Sequence, residues 1–100
     1  MDVQHDDSEL ATVESDPDYR GKLHRDRVRG FRKIMNLIRS VQNETELYQW
    51  KGFHFKKMGG KRSHQRSIRV NDQWRVILEI VKRKGRNNNL CVIKGIEDYH

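Results

Sequence analysis

The hydrophobic period of this chain changes once, and that change limits the folds open to it. Across residues 23–41, Val28, Phe31, Ile34, Met35, Leu37, Ile38 and Val41 recur at three- and four-residue spacing. This predicts an amphipathic helix whose apolar stripe needs a second layer to cover it. From residue 52 the helical period is gone. Gly59-Gly60 breaks the chain, and two alternating segments, Gln65–Val70 and Gln73–Lys82, flank an Asn71-Asp72 junction of hairpin type. In the first, Ile68 and Val70 share a face opposite Ser67 and Arg69. In the second, Trp74, Val76, Leu78 and Ile80 oppose Arg75, Ile77, Glu79 and Val81. A loop from Lys84 to Asn89 leads to a last strand, Leu90–Ile96.

The flanking segments are shorter. Asn43-Glu44-Thr45-Glu46 reads as a capped helix start, followed by one or two turns through Trp50. The first 20 residues end in a turn signal, Ser15-Asp16-Pro17-Asp18, with a short strand expected around Leu10–Glu14. Strand, helices and then an antiparallel sheet make an α+β fold: a compact antiparallel sheet with one or two helices from the N-terminal half packed on one face. A length of 100 residues suits one domain, 1–100, carrying an acidic segment at 1–18.

Charge is distributed unevenly. Residues 1–18 hold Asp2, Asp6, Asp7, Glu9, Glu14, Asp16 and Asp18 and no lysine or arginine; the rest holds all 21 lysines and arginines against the other 7 acidic residues, a local net of +14. Such a surface attracts phosphate backbones. The cations spread over strands, loops and a helix, which fits nucleic acid better than a membrane surface. The basic face of the long helix (Arg27, Arg29, Arg32, Lys33, Arg39) reads equally as a phosphate contact, an acidic-protein contact or a solvated face.

The single Cys91 lies in the apolar run Leu90-Cys91-Val92-Ile93 and is expected in the core. No apolar run approaches the roughly 20 residues of a membrane span, and the acidic start lacks a signal-peptide core, so a cytoplasmic protein is expected. His5, His24, His54, His64 and His100 are not spaced as a metal motif, and no cysteine pair, phosphate loop or nucleophile elbow is present. Neither a metal nor a cofactor is therefore expected.

The last third does hold what RNA cleavage without a metal requires. The ribose 2′-OH is an internal nucleophile. A proton must leave it, charge must be stabilised on the phosphate, and the departing 5′-oxygen must be protonated. Histidine suits the proton transfers, arginine and lysine the phosphate, and tyrosine can orient, donate or stack. Arg62, His64, Arg66, Arg69, Arg75, Tyr99 and His100 supply these groups. Trp74, Trp50, Phe53 and Phe55 are expected in the core. His54 reads equally as structural or catalytic, and Arg75 equally as a surface arginine paired with Glu79. Asp98 reads equally as an orienter of His100 or a cap on the strand end.

The stretch from Phe53-His54-Phe55 through Met58-Gly59-Gly60-Lys61-Arg62, the strand Ile68-Arg69-Val70-Asn71-Asp72-Gln73-Trp74-Arg75 and the ending Asp98-Tyr99-His100 resemble the HigB toxins of the RelE superfamily. The resemblance covers residues 50–100 well. It implies a RelE-like microbial ribonuclease fold that cleaves mRNA in the ribosomal A site, neutralised by a HigA-type helix-turn-helix antitoxin, with DNA contacted only indirectly through that antitoxin. By motif, Arg75 would stabilise the phosphate, Tyr99 and His100 would form the terminal catalytic pair, His54 would match the family histidine, and Arg62 the basic residue of the glycine loop. The family's loop lysine falls on Gly59. Lys57 or Lys61 is expected to serve in its place, with His64 and Arg66 as compensating RNA contacts beside Arg69. The alternative the same departure raises is a non-catalytic RNA- or antitoxin-binding homologue.

Overall fold

A computed structural model describes residues 1–85 and 88–98. Tyr99 and His100, and Arg86 and Asn87 of the expected loop, lie outside the described residues. In chain order the elements are β1 (Asp2–His5), α1 (Ser8–Ser15), α2 (Arg25–Ser40), α3 (Glu44–Tyr48), β2 (Lys56–Lys57), β3 (Arg66–Arg69), β4 (Trp74–Val81) and β5 (Leu90–Asp98). Short 3-10 turns at Lys51–Phe53 and Gly60–Arg62 flank β2. The five strands form one sheet in the order β1-β5-β4-β3-β2. The pairs among β2, β3, β4 and β5 are antiparallel, as expected, while β1 joins β5 in parallel.

The expected strand at Leu10–Glu14 is instead helix α1, and the strand of this segment lies upstream as β1. The Asp7 carboxylate accepts from the N–H groups of Glu9 and Leu10 at 3.0 and 3.2 Å, which starts a helix. Leu10 and Val13, three apart, then share the buried side. Asp16 ends the segment, its side chain accepting from the Asp18 N–H.

α2 buries Val28, Phe31, Ile34, Met35, Leu37 and Ile38. They meet Ile68, Val76, Leu78, Cys91 and Ile93 of the sheet in one hydrophobic cluster that also takes in Leu10 and Val13. Each such side chain contributes roughly 1.5–3 kcal/mol by burial. Desolvation pushes the Cys91 thiol up to about 12, which agrees with a core cysteine. α2 packs closely on the hairpin at Gly30, where a Cβ would stand 2.7 Å from Val70 Cγ1 and 2.9 Å from the Val70 carbonyl oxygen.

α1 is fastened to α2 by polar contacts. Arg32 donates to the carbonyls of Val13, Asp16 and Tyr19 at 2.9–3.0 Å. Glu14 accepts from Arg39 at 2.5 and 2.8 Å and pairs with His5 Nε2 at 2.8 Å. The Arg39 bonds, reinforced by His5, hold the Glu14 carboxyl below its ordinary value near 4.5. α3 starts as expected: the Asn43 carboxamide accepts from the Glu46 N–H, and Glu46 accepts from the Gln42 N–H.

The aromatic expectations divide. Phe55 is buried edge-on against Tyr48, and Phe53 packs at the margin of the core. Trp50, expected in the core, is 52% exposed, because α3 ends at Tyr48 and the following turn swings its ring outward. Trp74 is half-buried beneath the Arg27 guanidinium, 4.1 Å from the ring centre.

A β-bulge separates the two halves of the β4–β5 ladder. Ile77 opposes Gly95 and Leu78 opposes Ile93, so Lys94 is an extra residue in β5. Cys91 and Ile93 face the core. Strict alternation would send residues 95 and 97 the same way. With Lys94 inserted, Ile96 turns inward instead and Glu97 turns to the uncovered face.

Two measurements check these packing claims. Gly30→Ala gains helix propensity but must displace the Val70 backbone, so we expect a net loss of about 1–2 kcal/mol in urea denaturation; equal or greater stability would show that α2 is not tightly seated there. Glu14→Gln is expected to cost about 1–2 kcal/mol at neutral pH. Because the folded-state pKa of Glu14 is depressed, its contribution is present above about 4.5 and fades as pH falls through the folded value. The two proteins should therefore converge in acid, and a gap that persists there would refute the assignment.

Candidate nucleic-acid interface and active site

The helices cover one face of the sheet, and the other face carries charge. The cross-strand register shows which residues share it. Lys56 lies opposite Ser67, Ser67 opposite Ile77, Arg69 opposite Arg75, and Arg75 opposite Glu97. Ile68 and Val76, between them, point into the core. Lys56, Ser67, Arg69, Arg75, Ile77 and Glu97 therefore line one surface drawn from four neighbouring strands. Ser67 and Ile77 are each 1% exposed, giving that surface a closed floor beneath its cations.

Arg62 reaches this face from the 3-10 turn after β2. Its NH1 and NH2 donate to the two oxygens of Glu97 at 2.9 and 2.6 Å, while Nε donates to Gln65 Oε1. The fork matches the carboxylate in two parallel bonds. Arg62 first, and the charge of Arg75 further off, hold the Glu97 carboxyl below its usual range. Arg75 is half-buried with its Nε fully covered, between the Arg69 and Glu97 strands. Its expected partner Glu79 pairs instead with Lys94 at 3.4 Å, beside the bulge.

His54 follows the first 3-10 turn in the left-handed region, at φ 50°. It is exposed, and its Nε2 lies 3.4 Å from the Arg69 NH1. Arg69 also donates to the Asn71 carbonyl at 3.2 Å and pairs with Asp72. His54 and Arg69 thus meet at the hairpin end of the face. At the end of β5, Asp98 lies opposite Trp74, and its carboxylate accepts from Gln73 Nε2 at 3.1 Å. The sequence continues from there into Tyr99 and His100.

Other expected residues lie elsewhere. Arg66 points to the helix side, where its Nε meets Glu44 Oε1 at 2.5 Å and ties β3 to α3. Lys57 pairs in register with Arg66 and alternates to that side too, away from Arg75. Lys61 and His64 are exposed on the connection between β2 and β3. Lys56 was not singled out from the sequence, yet it is the lysine of this segment that shares the face of Arg69 and Arg75. The signal for it in the sequence is the alternation counted forward from buried Phe55, which puts Lys57 on the side of Phe55 and Lys56 on the other.

The arrangement suits an anionic ligand, with a lysine and two arginines standing over a floor that excludes water and an imidazole at the margin. None of the described helices is long and apolar enough to cross a membrane.

No curated protein matches the chain. Among solved structures, the fold is similar to the YoeB/ParE toxin from Agrobacterium tumefaciens. That comparison covers 100% of both chains with a TM-score of 0.55 and 13% sequence identity, so it is a likeness of fold. Residues 4–100 match the model of the HigB-like toxin family, described as the RelE-like toxin HigB of type II toxin–antitoxin systems. On that match over nearly the whole chain, the protein belongs to the HigB-like family of RelE-like type II toxins.

Proposed function

We propose that the chain is a metal-independent endoribonuclease that cuts mRNA in the ribosomal A site and is held inactive by a HigA-type helix-turn-helix antitoxin. The family implies an antitoxin partner; the nuclease reading rests on one observation, the gathering of Lys56, Arg69 and Arg75 on the uncovered sheet face. In this reading the ribose 2′-oxygen attacks the adjacent phosphorus, the bond to the 5′-oxygen breaks, and a 2′,3′-cyclic phosphate remains. Arg75 neutralises the charge that builds on the phosphate oxygens, with Arg69 beside it. Lys56 stands in for the lysine that the loop lacks at Gly59 and supplies a further cation to the phosphate. Tyr99 and His100 orient the RNA and move the protons, and His54 assists from the margin. Arg62, locked to Glu97, holds the end of β5 in place.

A second reading, a non-catalytic homologue that binds RNA or antitoxin, is favoured by the glycine at position 59. Lys56 weighs against it, because it puts a lysine on the face of Arg69 and Arg75.

Mapping mRNA 5′ ends after adding the purified protein to translating ribosomes separates the two. Wild type is expected to create new codon-linked ends. Arg75→Ala should slow their appearance about 10²- to 10³-fold, and Lys56→Met about 10²-fold. Absence of new ends with wild type would establish the non-catalytic reading, and undiminished cleavage by Arg75→Ala would move the active site off this face.

A further inference from the structure

The arginines of the described residues are used differently along the chain. On the sheet and around its edges four arginines, and Lys94 with them, are matched to carboxylates: Arg62 to Glu97, Arg66 to Glu44, Arg69 to Asp72, Arg83 to Asp2, Lys94 to Asp6. Arg39 at the end of α2 is matched to Glu14. The head of α2 and the turn before it differ. Between residues 20 and 33 stand Arg20, Lys22, Arg25, Arg27, Arg29, Arg32 and Lys33, and none is ion-paired with a carboxylate of the described residues. Arg32 is committed to three backbone carbonyls, Arg27 lies on Trp74, and Lys33 stands over Phe53. Arg20, Lys22, Arg25 and Arg29 remain exposed. The acidic residue among them, Asp26, sits 3.9 Å from His24.

The backbone that presents these four is fastened. Glu9 Oε1 accepts from the Lys22 N–H at 2.6 Å and fills the space beside Gly21, so that the turn is seated on α1. Arg32 ties the Asp16 and Tyr19 carbonyls to α2. An open hollow of about 700 Å³ is lined by residues 20–27 and continues past Arg25 into a second of about 420 Å³ beside Arg29 and Lys33. On its other side His24, Asp26 and Arg27 border a smaller hollow of about 220 Å³ shared with Asn71, Gln73 and Trp74 of the hairpin. The surface is therefore continuous with the hairpin that carries Arg69.

We infer that this head region is a second nucleic-acid surface, which grips the phosphate backbone of duplex RNA independently of its sequence. Its identification with RNA rests on the nuclease reading above; its existence as an anion surface rests on the unmatched cations. Protein interfaces centre on apolar anchors, and single-stranded RNA sites on exposed aromatic platforms. Here Tyr19 stands at the margin and no other large apolar side chain from 19 to 33 is exposed. Cations without stacking rings suit a backbone whose phosphates lie outside and whose bases are already paired.

The test is equilibrium binding of a labelled RNA duplex by fluorescence anisotropy, in an Arg75→Ala background so that cleavage does not enter. Arg25→Glu with Arg29→Glu is compared with Lys82→Glu plus Lys84→Glu, an equal charge change at exposed lysines elsewhere. The first pair should weaken binding at least tenfold and reduce the slope of log K against log salt by about 2, with an unchanged unfolding midpoint. The second should weaken it less than threefold. Equal losses in both pairs would overturn the inference in favour of net charge alone. Unaltered RNA binding in the first pair would overturn it in favour of an acidic protein occupant. A chain that binds through Arg25 and Arg29 yet cuts nothing would refute the nuclease and keep this surface; one that cuts while ignoring them would do the reverse.

Discussion

One inserted residue decides what the open face of this sheet presents. Lys94 has no counterpart on β4, and beyond it β5 runs with its faces exchanged. Without it, the carboxylate of Glu97 would be directed at the apolar cluster beneath α2, at a cost of several kcal/mol, and Ile96 would be stranded outside. With it, Ile96 joins the core and Glu97 takes the fork of Arg62 within the field of Arg75. The displaced Lys94 is used as well, bridging Asp6 and Glu79. The same irregularity thus completes the core, anchors the glycine-loop turn and sets the facing of the residues that follow.

The covered face is organised with equal economy. Gly30 lets α2 settle against the hairpin backbone, and the cations of that helix divide according to depth. Arg32 and Arg39, turned toward α1, are absorbed in holding it. Arg25 and Arg29, turned outward, are not. The acidic first segment is accordingly part of the framework rather than a loose shield: Asp7 caps a helix, Glu14 clasps α2, and Asp2 and Asp6 fix the edge strand to its surroundings.

Much of this was legible from the order of residues. The three-four spacing of α2, the alternation of β4, the Asn43 cap and the Asn71 turn each have a local cause, and local causes can be read along the chain. Sequence and structure part where the cause is remote or where two patterns compete. Leu10 and Val13 fit a short strand as well as a helix turn, and the Asp7 cap decided between them. β1 joins its sheet through a parallel neighbour near the other end of the chain, a pairing no local pattern announces. Gly95 is the one local sign of the bulge in β5. Lys56 shares the face of Arg75 while Lys57 shares that of Arg66, and separating two adjacent lysines requires the phase of a two-residue strand. Trp50 departs from expectation because size alone argues for burial, while the turn that holds it leaves the ring exposed.

The sheet order also has a consequence for how the molecule comes into being. β5 lies in the interior of the sheet, between β1 and β4, although it is the last strand of the chain. The contact between Asp6 and Lys94 spans 88 positions. Closing so long a loop is entropically slow, so sheets built on distant pairings form late. Helix α2 and the β3–β4 hairpin, whose contacts are near in sequence, can assemble first, but they hold Arg75 without Glu97 and leave β1 with no neighbour. A precursor built from these local elements therefore carries the cations of the charged face without the carboxylate of Glu97, and it lacks the interior strand β5.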